Sequence, residues 1–140
     1  MGKKAIGVLL VGLTLAFVRV SDAQQPAKLP KIGWLEARSA SAPGRNLFER
    51  QLRELGYVEG KNIAFEDRCA DDKLARLSAL ADELVRLKVD VLVAPGISAA
   101  LAAKNATRTI PIVCVNLGDP VALGLVDSLA RPGGNVTGFT

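Results

Sequence analysis

The chain has 140 residues, enough for one domain with its own hydrophobic core, and its 49% hydrophobic and 23% charged content describes a globular protein rather than a disordered or fibrous one. It contains no histidine, which removes the commonest general base, His-paired nucleophiles and most zinc sites together. Only 4% of residues are aromatic, so no stacking platform for single-stranded nucleic acid is visible.

Lys3 and Lys4 precede an uncharged apolar run over residues 5–18, and Ser21-Asp22-Ala23 offers small residues at both cleavage-determining positions. This pattern predicts a secretory signal over residues 1–23, cut after Ala23, with a core too short for a spanning helix and closed by Arg19. Three positive charges (Lys3, Lys4, Arg19) and one negative (Asp22) leave with it, so the formal charge of +4 falls to +2. The basicity belongs largely to the signal, and no basic tract remains to argue for nucleic acid. Export also places the chain where disulfides can form.

Residues 24–30 read as a polar leader. Lys31-Ile32-Gly33-Trp34-Leu35-Glu36 is the first strand, apolar without a clean polar face, as in strands covered on both sides by helices. Trp34 can be read as a ligand-stacking residue, but a central strand favours core packing. A small-residue loop over 36–44 follows, and then Phe48, Leu52 and Leu55 recur at helical spacing before Gly56, a left-handed cap position. The second strand is expected over 63–69. Asp71-Asp72 then offers an N-cap for a helix whose buried stripe is Leu74, Leu77, Ala81, Leu84 and Leu87 or Lys88.

The organising stretch runs over residues 91–120. Two short apolar runs, 91–94 and 110–115, each stop at turn-forming residues that open an expected helix. Pro95-Gly96-Ile97-Ser98 leads to a helix over 99–106 with Ser98 as its cap. Asn116-Leu117-Gly118-Asp119-Pro120 leads to another, with Asp119 as N-cap and Pro120 at the first helical position, continuing through Leu123, Val126 and Leu129 to Arg131. Pro111 sits at a tolerated position near the start of its strand. Pro132-Gly133-Gly134 ends the last helix, and residues 135–140 begin a fifth strand.

Regular alternation of strand and helix implies right-handed crossovers and a parallel sheet. The expected fold class is therefore α/β: a doubly wound parallel sheet of strand order 2-1-3-4-5, sandwiched as three α/β/α layers. In that order Cys69 and Cys114 lie three strand spacings apart, roughly 14 Å. A disulfide needs Cα atoms within about 7 Å, so both are expected as free, buried thiols.

Ligands of such sheets bind beyond the carboxyl ends of the strands, near the point where strand order reverses. The loops over 36–44, 95–98 and 116–120 qualify, and two helix N-termini converging there would suit a carboxylate or another anion on a small molecule. Ser98 and Asp119 can equally be simple helix caps, and Ser39 and Ser41 can be loop-solubilising residues. Dinucleotide and phosphate-loop glycine motifs and the nucleophile elbow are absent. Glu36 and Asp119, the carboxylates on these loops, are weak grounds for acid–base or metal chemistry. The reading is binding without catalysis, with no cofactor and no metal.

The stretches KIGWLEA, LRELGYVEGKNIAFEDRCAD, LADELVRLKVDVLVAPGISAALAAKNATRTIPIV and GDPVALGLVDSLARPGGNVTGFT resemble the ABC transporter substrate-binding family related to tryptophan and tyrosine transport binding proteins. The similarity covers essentially everything after the signal, and LARPGGNVTGFT is quite specific to that family. The resemblance implies a type I periplasmic binding protein that closes two lobes on a small solute, reported ligands including aromatic amino acids, and hands it to an inner-membrane ABC permease. Residues 31–140 would then be the N-terminal lobe of a chain about twice as long, in the periplasm. The positions matching the lobe-one binding loops are Ser39, Ala40, Ser41, Gly96, Ile97, Ser98, Asp119 and Pro120, with Ile97 where relatives often carry Thr or Gly. Two other classes share parts of this pattern. An effector-sensing domain of a transcription regulator would need a helix-turn-helix where the signal stands. A small flavodoxin-like or hydrolytic enzyme would need the missing phosphate loop or histidine.

Overall fold

The computed structural model describes residues 27–128 and 133–139, so the expected signal over 1–23 lies outside the described residues. Five strands form one parallel sheet: β1 (Lys31–Glu36), β2 (Ala64–Cys69), β3 (Val91–Pro95), β4 (Ile112–Val115) and β5 (Val136–Phe139), in the order β2-β1-β3-β4-β5. The helices are α1 (Pro43–Glu54), α2 (Leu77–Arg86), which follows a short 3-10 turn at Leu74–Arg76, and α3 (Ile97–Ala106). This is the doubly wound α/β sheet expected from the alternation of elements, with the expected strand order.

β1 holds the two faces apart. Gly33 lies on one side, where an added Cβ would stand 3.1 Å from Val89 and 3.4 Å from Leu84. Glycine there lets the α2 layer close directly on the sheet. Trp34 points to the other side, 3% exposed, with its ring centroid 5.4 Å from that of Phe48 on α1 and Phe65 stacked edge-on beyond it. Trp34 is a core residue. Arg45 lies 3.5 Å above the Phe65 ring and pairs with Asp67, Glu49 and Glu59, clamping the start of α1 to β2. Burial works against its charge, but these three carboxylates outweigh it and hold its pKa above the ordinary value.

The two faces are unequal. The α2–α3 side buries Leu35, Leu84, Leu92, Ile112 and Leu125 completely. The α1 side has a smaller cluster of Ile32, Trp34, Ile63 and Val93, and α1 itself has no fully buried residue. Leu55, expected on its buried stripe, is 74% exposed, because the helix ends at Glu54 and Leu55 belongs to the cap. There Gly56, at φ +92°, donates to the Arg53 carbonyl and Tyr57 donates to the Leu52 carbonyl, the left-handed ending anticipated for this glycine.

Three further expectations fail locally. Asp71 and Asp72 do not cap α2: both adopt positive φ, and their N–H groups donate instead to the carbonyls of Arg38 and Ala37 in the loop after β1. Leu74 consequently sits in the 3-10 turn and is 56% exposed, while Leu80, outside the anticipated stripe, is buried. Ser98 is not the cap of α3, which starts at Ile97 after Gly96 and has no side-chain cap bond.

The largest departure follows β4. The helix expected from Pro120 is a series of turns up to residue 128, and the rest of its expected span, 129–131, lies outside the described residues. Gly124 takes φ +66°, a left-handed value that a right-handed helix cannot contain. Leu125 and Val126 both donate to the Pro120 carbonyl, and that fold-back drives their side chains into the α2–α3 core. Asn135 then secures the return to β5 through bonds from its amide to the carbonyls of Thr107 and Ile110. The two cysteines stand free, with β1 and β3 between their strands; Cys114 is buried as expected, but Cys69 is only half-buried. Burial pushes the Cys114 thiol up to about 11, and burial aided by Asp67, Asp71 and Glu36 also raises Cys69.

Candidate functional site

The carboxyl ends of β1, β3 and β4 converge at one edge of the sheet, where the strand order reverses about β1 and β3. Between them lies a crevice of about 370 Å³ lined by Glu36, Arg38, Gly96, Ile97, Ser98 and Asn116, among others. That size suits a small molecule.

Its floor is the turn from β3 into α3. Gly96 extends the sheet by donating to the Val115 carbonyl at 2.9 Å and then turns at φ +81°, where a side chain would be strained. Its own carbonyl accepts the first helical bond, from Ala100 at 3.1 Å. The N–H groups of Ile97, Ser98 and Ala99 therefore have no acceptor within the helix, and no side chain caps them. With the positive end of the helix dipole they form an anion-binding corner. Asn116 closes the β4 side at φ +57°, a conformation asparagine tolerates better than most residues.

Glu36 forms the opposite side. It is 3% exposed. One carboxylate oxygen, Oε1, accepts from the Arg38 backbone N–H at 3.3 Å and faces the Arg38 guanidinium at 3.5 Å. The other, Oε2, is buried without a hydrogen-bond partner, as is the indole Nε1 of Trp34 two residues earlier on the same strand. Both residues also border a smaller cavity of about 60 Å³ beside Ser39, Ala40 and Cys69. Among the described residues no group of three or more Cys, Asp and Glu could hold a metal ion.

The structure divides the residues singled out from sequence. Gly96, Ile97 and Ser98 line the crevice. Ser39 and Ala40 border the smaller cavity, and Ser41 sits 2.8 Å from Ser39, hydroxyl to hydroxyl, on the exposed loop. Asp119 and Pro120 are not among the residues lining the crevice. The Asp119 carboxylate accepts from the N–H groups of Val121 and Ala122, and Pro120 is buried. One helix N-terminus, not two, opens into the crevice among the described residues, because the segment after Asp119 is not helical. Arg38 and Asn116 were not anticipated as lining residues, and Glu36 was set aside. A charged residue closing an otherwise apolar buried strand was the signal available for Glu36.

A doubly wound α/β sheet with a crevice at its carboxyl edge has the geometry in which such sheets hold ligands. The sequence profile described as ABC transporter substrate binding protein matches residues 39–140, and the chain belongs to that family. Among curated proteins, the tyrosine-binding protein of Clostridioides difficile is 40% identical over 91 residues, covering 65% of this chain and 26% of that one. Solved structures agree. A ligand-free, open substrate-binding protein with adhesive properties from Clostridium difficile superposes with a TM-score of 0.73 at 34% identity. A conserved domain protein of Vibrio cholerae gives 0.74 at 36%, and a Streptococcus pneumonia domain in complex with L-Trp gives 0.70 at 28%. Each of the three alignments covers 79% of this chain and 38% of the other. The chain thus spans between about a quarter and two fifths of these relatives' lengths.

Proposed function

We propose that this chain is the solute-capturing lobe of an ABC importer's binding protein, taking a small carboxylate-bearing solute of the amino-acid class. The observation that carries this reading is the uncapped N-terminus of α3 opening into the crevice. The uncapped N–H groups of Ile97 and Ser98 and the dipole suit a carboxylate, and the crevice suits a molecule of amino-acid size. The names of the relatives that bind tyrosine or hold L-Trp support the same class.

In this reading residues 1–23 direct export to the periplasm, residues 24–30 are a leader, and residues 31–140 are the first of two lobes. Ser39–Ser41 and Asp119–Pro120 would contact solute or a second lobe from the rim. Closure of a facing lobe supplies most of the buried contact area, and the closed form docks on a membrane permease. The role is binding without catalysis. A thermal-shift screen of the intact protein against the common amino acids and simple carboxylic acids tests the reading. Stabilisation by a subset of amino acids is expected, and no stabilisation across the whole panel would sink it.

A further inference from the structure

We draw no further inference here: the strongest candidate, the apolar groove of about 310 Å³ between α1 and the carboxyl ends of β3 and β4, lined by Leu47, Phe48, Val93, Pro95 and Val115 among others, carries nothing because nothing in the structure shows what covers it.

Discussion

The turns after β3 and β4 look alike in sequence and differ in structure. Each follows an apolar run, each carries a glycine, and each ends in a residue suited to cap a helix. After β3, Gly96 takes up the left-handed bend and a ten-residue helix starts at once, leaving its first N–H groups uncapped where Ile97 and Ser98 line the crevice. After β4, Asn116 and Gly118 both turn left-handed, Leu117 drops into the core at 3% exposure, and Asp119 satisfies the next N–H groups with its own side chain. One turn is open to a ligand and the other is closed on itself. The difference comes from where the following apolar residues must go. Ala99, Ala100 and Ala103 pack the small face of α3 against the sheet, while Leu125 and Val126 reach the same core only by folding back to Pro120.

The strongest way to break this comparison is Leu125→Ala. Leu125 is 2% exposed and lies in the main core, so its truncation should cost about 2–5 kcal/mol of unfolding free energy. Chemical denaturation would measure it. A cost under about 1 kcal/mol would mean the segment after β4 is a mobile rim rather than part of the core.

Gly96→Val comes next. Its left-handed φ strains any β-branched residue, at about 1–3 kcal/mol. The substitution should also weaken amino-acid binding by more than its stability cost implies, because it displaces the N–H groups of Ile97 and Ser98. Titration and melting measured together separate the two effects, and unchanged affinity would show that the helix N-terminus takes no part in binding.

Asp119→Ala is the smallest. Loss of its two bonds to Val121 and Ala122 should cost about 1 kcal/mol. Solute affinity should stay near that of the unmodified protein if Asp119 acts as a cap. A drop of tenfold or more in affinity would restore it as a ligand contact.

The fold was legible because its causes are local and repeated. Short apolar runs alternating with helical periodicity predict a parallel sheet, and the observed order matches. The Gly96–Ser98 turn was legible for the same reason. Glu36 was less so, since a carboxylate at a strand end reads as an ordinary surface charge until its neighbours bury it. The failed helix after Asp119 shows the opposite limit. Asp-Pro is a good local start, but propensity is a weak prior, and Gly124 with the burial of Leu125 and Val126 overrode it.

By itself the sequence determined the five strands, the helices before each of β2, β3 and β4, and the order of the sheet they build, because those follow from periodicity and connection rules. Only the tertiary structure decided which turn offers free N–H groups, which of Asp71, Asp72 and Ser98 fail to cap, and which oxygen of Glu36 is left over. Those outcomes depend on contacts between residues far apart in the chain, where burial and hydrogen-bond accounting decide and local pattern does not.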